Sequence, residues 1–557
     1  MFKKKLADVL CWKKKPSMQN IKNIFVIAYI QASILFVIAV FLKEIGLLPA
    51  YFFDFILFGY VLPVFALPRL VDLKNPYKSD VYIKQIYIYI SIILIFIFII
   101  AVRLIPYAEN LVPLGYDLGY YKYAIDLYLN TLPGIPEASL PLWVKQMHEQ
   151  GFFVLFDTLH IFTGMDSLQA LLYLPPVICA LLVLPIFILT RRIFDEKIAL
   201  LACALYAVSY TQFTAFTFMY LRNILGLFFL LFALYALERK RYALIAVMFA
   251  ALGIYHRPEF LIFSLVLTGY FLKNRDIKLI YTTALTAILI APFWLPRIEI
   301  YLPFLSGISN SAIQSFQGEP TRGGTFFDFG QYEWVSLAYL PFGIIGAIYL
   351  IYRKMWNPLL FYFMINGIIV VFKLFFHNRL IIDFDMVLLI LASAGITYTF
   401  LACQRKPRIA GIIFIGLIII SCGIITLQKA LEVKPLMNEN QIRSLEWLSE
   451  NTREDAYILT TSHDAPWALA WGKRKILAPG LFEWDESGKK KWLEFLGTGN
   501  STAAQEFLKK YNGDVYIYYS FNKFNWMNLE KFNNTAFTKI LMKDSVIYHY
   551  TNNDDEN

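Results

Sequence analysis

The chain has 557 residues, of which 58% are hydrophobic and 17% aromatic, and its mean hydropathy is +0.53. Apolar runs long enough to cross a bilayer recur from Ile24 to about Leu427, so the composition predicts a polytopic α-helical membrane protein and excludes a wholly soluble one. The formal net charge of +10 does not indicate a nucleic-acid partner, because Lys and Arg cluster in the short connections between apolar runs, as in cytoplasmic loops.

The first 23 residues are polar and basic, and the apolar run from Ile24 lacks a small-residue cleavage site. This pattern predicts a cytoplasmic N-terminus (residues 1–23) followed by a retained first span. The alternation of Lys- and Arg-rich connections then predicts about thirteen spans within residues 24–427. After the first, the predicted spans are Ala50–Leu67, Tyr87–Leu104, Leu168–Leu189, Ile198–Met219, Ile224–Leu237, Tyr242–Tyr255, Leu261–Leu272, Leu279–Leu295, Leu337–Tyr352, Leu359–Phe376, Leu380–Leu401 and Ile409–Leu427.

This topology predicts two large outer loops, residues 106–164 and residues 297–335. After residue 427 the composition changes, and short apolar runs (AYILTT, DVYIYYS, SVIYHY) alternate with helical stretches. The pattern is typical of a small α/β domain, predicted here over residues 428–557 on the outer face of the cell membrane. The five cysteines lie in predicted spans or beside the cytoplasmic face, so neither a disulfide framework nor a cysteine-based metal site is expected.

The first outer loop contains the motif GYDLGYYKYAID, residues 115–126. Four residues recur there at helical spacing and predict one face of a short amphipathic helix on the membrane surface: Leu118, Tyr121, Ile125 and Tyr128. Asp117 would stand at the N-terminus of this helix, between lipid and water. Two interpretations are open: Asp117 caps the helix by accepting a hydrogen bond from a first-turn amide, or it is a reactive carboxylate.

Further charged and polar residues fall at the predicted outer ends of spans, where charges usually face a cavity or a partner. The spacing of Arg379 and Asp383 predicts an ion pair along one helix. The alternative for the arginines is that they extend to the membrane surface without a specific role. The residues are Arg222 in YLRN, His256, Arg257 and Glu259 in YHRPEF, and His377, Arg379, Asp383 and Asp385 in FFHNRLIIDFDM.

The GYD motif, the HR and NR motifs at outer span ends and a tail that begins SLEWLSENTREDAYILTT together resemble the C-type membrane glycosyltransferases. The resemblance is to archaeal and bacterial members related to protein mannosyltransferases, aminoarabinose transferases and the catalytic subunit of oligosaccharyltransferase. It covers most of the chain from about Ile86 onward. It implies that Asp117 is catalytic, that the donor is a sugar on polyprenyl phosphate, and that transfer inverts the anomeric centre.

The sequence departs from that family at two places. Where oligosaccharyltransferases carry WWDYG, the tail reads HDAPWALAWGKR, and where they carry a second acidic pair for a divalent metal, this chain offers only TFMYLRN. Both departures weaken a role in binding a peptide sequon and a requirement for metal. No cofactor is therefore predicted, and a divalent metal held by carboxylates that include Asp126 stays an open alternative without a specific ligand spacing. Asp126 and Glu319 are candidate second acids, with Glu259 next in line. Glu319 lies in a Gly-containing stretch of the loop 297–335, which is either a flap over the substrate or a plain connection.

The residue types suit transfer from a lipid phosphate sugar to a hydroxyl, which needs a base and cations that stabilise the departing phosphate. Asp117 is the predicted base, and Arg257 and Arg379, with His256, His377 and Arg222, are the predicted phosphate ligands. The expected partners are a polyprenyl-phosphate-linked sugar, membrane lipid, and a glycan, lipid or protein acceptor. The alternatives are oligosaccharyltransferase-like transfer to protein, and a transporter or flippase of lipid-linked sugars, although no paired repeats or interrupted helices are evident in the sequence.

Overall fold

The computed structural model describes residues 84–550 except 110, 133–139, 148, 302, 304–305, 308–309, 311–313, 315–323, 401–404, 483, 486 and 523–524. The predicted cytoplasmic N-terminus, the first two predicted spans and Glu319 therefore lie outside the described residues.

The part before the C-terminal domain is built from helices that follow the apolar runs of the sequence. They are α1 Gln85–Leu104, α2 Leu118–Leu129, α3 Leu142–Met147, α4 Gln150–Thr163, α5 Ser167–Leu181, α6 Val183–Ile193, α7 Glu196–Ala207, α8 Tyr210–Thr217, α9 Leu221–Glu238, α10 Tyr242–Tyr255, α11 Arg257–Asn274, α12 Lys278–Trp294, α13 Phe329–Ser336, α14 Leu340–Tyr352, α15 Pro358–Val371, α16 Ile381–Phe400 and α17 Arg405–Glu432.

Six helical segments in the described chain are long and apolar enough to cross a membrane. The number rises to eight if two bent pairs each form one span: α7 with α8, bent by 47°, and α13 with α14, bent by 91°. The protein is thus a multi-pass helical membrane protein, and the predicted count of about thirteen spans stays a prediction.

The centre of the bundle is α16, whose most apolar window is 94% buried. It packs closely on α14 because small residues allow the two backbones to approach. A Cβ on Gly395 of α16 would stand only 1.9 Å from the carbonyl oxygen of Phe342 in α14. Any side chain larger than hydrogen at this position would therefore force the two helices apart.

The C-terminal region forms the expected small α/β arrangement around a five-stranded sheet of order β2-β1-β3-β5-β4. Strand β1 pairs in parallel with β2 and β3, and β5 pairs antiparallel with β3 and β4. The three apolar runs of the sequence correspond to β1, β3 and β5, whereas β2 and β4 were not predicted. The elements are α18 Glu439–Asn451, β1 Tyr457–Leu459, α19 Ala465–Trp467, β2 Lys475–Leu477, α20 Lys489–Gly497, α21 Ser501–Leu508, β3 Val515–Ser520, β4 Phe537–Met542 and β5 Ser545–Tyr550.

Candidate active site

Helix α2 presents its predicted apolar face to protein. All four residues of the stripe are buried: Leu118, Tyr121, Ile125 and Tyr128. The rings of Tyr121 and Phe152 lie 4.8 Å apart, as do those of Tyr128 and Phe153, so the stripe packs against α4 through aromatic pairs. The stripe that was expected to face lipid therefore fixes α2 to the outer-loop helix α4.

Asp117 directly precedes α2, but its side chain makes no capping hydrogen bond. The capping interpretation is therefore wrong. The Asp117 carboxylate instead faces Arg379, with 3.6 Å between Oδ2 and Nη2, and both side chains are 21% exposed. Burial raises the pKa of Asp117 above its ordinary value, while the positive charges of Arg379 and Arg222 oppose that rise. The site thus contains a carboxylate that is more basic than usual and still accessible.

Arg379 lies just before α16 and is held by an aromatic ring. Its guanidinium carbon is 4.2 Å from the centre of the Tyr220 ring, a cation–π distance. The Tyr220 hydroxyl is in turn 2.9 Å from Thr325 Oγ1, at the end of the second outer loop. Among the described residues, Arg379 Nε has no hydrogen-bond partner. The Arg379 guanidinium therefore keeps one donor that the described part of the protein does not engage.

Glu149, at the start of α4, is the functional candidate that sequence reasoning missed. It is 3% exposed and lies between two arginines, 2.8 Å from Nη1 of Arg222 and 2.8 Å from Nε of Arg257. Burial acts to raise the pKa of Glu149, but the two arginines outweigh burial and hold it below its ordinary value. The signal available in the sequence was the need for a partner, because two arginines at predicted span ends require a carboxylate. Glu149 lies in the same predicted outer loop as Asp117.

The two predicted histidines do not contact Asp117. His256 Nδ1 lies against Glu259 Oε2 one helical turn away, and both residues are buried. His377 is buried, and Nδ1 of its ring has no hydrogen-bond partner among the described residues. Glu259 therefore serves as the partner of His256, which makes it a poor substitute base.

The predicted ion pair between Arg379 and Asp383 is wrong. Arg379 pairs with Asp117, and Asp383 accepts a hydrogen bond of 3.1 Å from the Tyr362 hydroxyl. Asp385 is buried and accepts four hydrogen bonds that join α16 to its neighbours. The donors are Ser209 and Gln212 at the start of α8, Tyr332 in α13 and Tyr339 just before α14. Both aspartates thus have structural partners inside the bundle.

Asp126 lies on the side of α2 outside the buried stripe. Its carboxylate forms a 2.7 Å ion pair with Lys122 and accepts a hydrogen bond from Ser167. Together with Lys122 it lines a cleft of about 840 Å³ between α2 and α18. Asp126 is therefore not brought to Asp117.

The C-terminal domain contacts the Asp117 loop directly. The Tyr116 hydroxyl donates a 2.6 Å hydrogen bond to the Ser462 carbonyl. A Cβ on Gly119 would stand 2.1 Å from the carbonyl oxygen of Pro466, so only glycine permits α2 to lie this close to α19. Tyr116 and Gly119, on either side of Asp117, are thus both fixed by the segment Ser462–Pro466.

No protein-family model matches the sequence, and no curated protein matches it. Solved structures do match the fold. The oligosaccharyltransferase of Archaeoglobus fulgidus in its apo form aligns with a TM-score of 0.60 at 15% identity, covering 78% of this chain and 70% of that one. ArnT from Cupriavidus metallidurans in the apo state aligns with a TM-score of 0.51 at 12% identity, covering 83% of this chain and 97% of that one. The chain therefore shares its fold with these two solved structures.

Within this fold, the candidate site contains two carboxylates that each face arginines. Asp117 faces Arg379, and Glu149 binds Arg222 and Arg257. Such an arrangement suits an anionic ligand next to a proton acceptor. In the described part of the chain, no group of three or more His, Cys, Asp or Glu residues is placed to hold a metal ion.

Proposed function

We propose that this protein is a membrane glycosyltransferase that moves a sugar from a polyprenyl phosphate donor to an acceptor hydroxyl. The observation that carries the proposal is the Asp117 carboxylate, which makes no capping bond and lies 3.6 Å from Arg379 in a part-exposed position. The fold supports the donor class, since the structurally similar A. fulgidus oligosaccharyltransferase AglB has been solved with an inhibitory peptide and a dolichol-phosphate. That structure aligns with a TM-score of 0.50 at 14% identity, covering 78% of this chain and 70% of that one.

In the proposed reaction the acceptor oxygen attacks the anomeric carbon of the sugar, and the bond from that carbon to the phosphate oxygen breaks. Asp117 takes the proton of the acceptor hydroxyl, and the polyprenyl phosphate leaves with its negative charge. Attack from the face opposite the phosphate inverts the anomeric centre. The raised pKa of Asp117 makes this carboxylate a better proton acceptor than an ordinary aspartate.

The proposed phosphate ligand is Arg379, since its guanidinium lies beside Asp117 and its Nε is unpaired among the described residues. Arg222 and Arg257 have a different task. Because both bind Glu149, they hold this part of the predicted first outer loop in place. This division of roles differs from the sequence-based prediction, in which Arg257 and Arg379 both hold the phosphate.

The test replaces Asp117 by Asn, which is isosteric but cannot accept a proton as a carboxylate does. Purified protein is incubated with radiolabelled polyprenyl phosphate sugars and host membrane extract, and the labelled fraction is identified. We expect transfer to fall by at least about a hundredfold, the lower range for loss of a general base, while donor binding persists. The wild-type kcat/KM should rise with pH through a pKa above that of an ordinary aspartate.

The matched control is Asp126→Asn on the same helix. It removes a part-exposed ion pair with Lys122, worth roughly 0.3–0.5 kcal/mol, and should leave transfer nearly unchanged. Retention of most activity in the Asp117→Asn variant would show that another group takes the proton.

A further inference from the structure

A groove runs between the consecutive helices α11 and α12. Both helices pack on α10, and the groove between them has a volume of about 410 Å³ and is lined by residues within 267–271 of α11 and 279–287 of α12. The two hydroxyl groups in its lining, those of Thr268 and Thr283, each donate to a carbonyl oxygen of their own helix. The groove therefore presents an apolar surface that suits a hydrocarbon chain.

Helix α12 lies at the outside of the bundle. The most apolar window of the segment that contains α12 is 22% buried, whereas that of the central helix α16 is 94% buried. An apolar helix of this length that exposes most of its surface contacts acyl chains in a bilayer. The groove beside α12 therefore opens to membrane lipid.

One end of the groove meets a basic turn, residues 273–278 between α11 and α12. The turn contains three cations, Lys273, Arg275 and Lys278, and one carboxylate, Asp276. Asp276 accepts hydrogen bonds from the Tyr242 hydroxyl at 2.5 Å and from the Lys278 amide at 3.2 Å. The turn thus has an excess of positive charge, and it lies at the end of α11 that the sequence predicts to be cytoplasmic.

Aromatic rings place the turn at the depth of lipid headgroups. Lys273 Nζ donates to the Trp356 carbonyl at 3.3 Å and lies 5.5 Å from the centre of the Trp356 ring, and Lys278 Nζ lies 5.5 Å from the centre of the Tyr242 ring. Trp and Tyr are typical of the boundary between membrane and water. Arg275 is exposed, and in the described part of the chain no hydrogen bond or ion pair engages its guanidinium.

We propose that the groove and the basic turn together bind an anionic phospholipid. Its phosphate contacts Arg275 and Lys278, and one of its acyl chains lies along the groove. Basic pockets between transmembrane helices on the cytoplasmic side are common positions for anionic headgroups. The site is separate from the proposed donor site, because α11 has 18 residues and its length places the turn about 27 Å from Arg257.

The experiment uses the full-length protein in phosphatidylcholine vesicles that contain a trace of phosphatidylglycerol with a photoreactive acyl chain. After illumination, we expect lipid crosslinks in peptides that cover residues 267–287, and fewer with photoreactive phosphatidylcholine. Replacing Arg275 and Lys278 together by Gln should reduce the preference for phosphatidylglycerol by about fivefold for each cation removed. Ala287→Trp fills the groove and should reduce the crosslinking of both lipids equally.

The matched control replaces Arg191 and Lys197 by Gln, which removes two cations near the turn between α6 and α7 and should leave the preference unchanged. Equal crosslinking of the two lipids in wild type, or an unchanged preference in the Arg275 and Lys278 variant, would overturn the proposal. Loss of the crosslink on addition of inorganic phosphate or polyprenyl phosphate would also overturn it, because the site would then hold a free anion or the tail of the donor. None of these measurements requires transferase activity, so the result is independent of the proposed function.

Discussion

Replacing Glu149 by Gln keeps the size of the side chain and one acceptor oxygen, but it removes the negative charge between two buried guanidinium groups. The side chains of Glu149, Arg222 and Arg257 are 3%, 10% and 8% exposed, so water replaces little of the lost interaction. Removing one partner of a buried ion pair costs about 3–5 kcal/mol. Gln still accepts one hydrogen bond, and we therefore expect the free energy of unfolding to fall by about 3 kcal/mol.

The assay is thermal unfolding of the detergent-solubilised protein at a fixed scan rate. For a chain of this size the expected loss lowers the melting temperature by roughly 2–3 °C. The control is Glu439→Gln, because Glu439 forms an exposed pair with Arg443 at 3.9 Å and such pairs contribute less than about 1 kcal/mol. Equal melting temperatures for the two variants would show that Arg222 and Arg257 do not depend on Glu149.

The pH dependence gives a second readout of the same network. Because Arg257 and Arg222 hold the pKa of Glu149 below its ordinary value, the stability that Glu149 contributes is complete above the pKa of an unfolded glutamate, about 4.3. That stability is lost as the pH falls toward the folded-state pKa. The melting temperatures of wild type and Glu149→Gln should therefore differ by a constant amount near neutral pH and converge on acidification.

Arg379→Lys keeps a positive charge beside Asp117 but loses the planar guanidinium and its stacking on Tyr220. Donor affinity should therefore fall by about tenfold. The control Arg443→Lys, on the surface of α18, should leave donor affinity unchanged. Near-native donor KM and kcat in Arg379→Lys would mean that Arg379 does not hold the phosphate. For topology, a cysteine placed at Ser501 should react with a membrane-impermeant maleimide in intact cells and one at Ser17 should not, after the five native cysteines are replaced. Labelling at Ser17 alone would reverse the predicted orientation.

The helices could be predicted from the sequence because their signals are local. Apolar runs of membrane length, the 3.6-residue spacing of Leu118, Tyr121, Ile125 and Tyr128, and the short alternating runs of the tail each report the local period of the backbone. Asp117 was found for the same reason, since it stands directly before a periodic segment. Strand β2 was missed because three residues, Lys475 to Leu477, carry no periodic signal and are fixed only by pairing with β1.

The partners of the charged residues were decided by the tertiary structure. The sequence places Arg379 four residues before Asp383, yet the fold brings Arg379 to Asp117. Helical spacing could not reveal this pair, because it ranks only neighbours on the same helix. Glu149 lies 73 and 108 residues from the two arginines that it binds. The sequence by itself determined the apolar helices and the carboxylate that precedes α2. Long-range packing decided which carboxylate pairs with which arginine, because the Coulomb interaction depends on distance in space and not on separation along the chain.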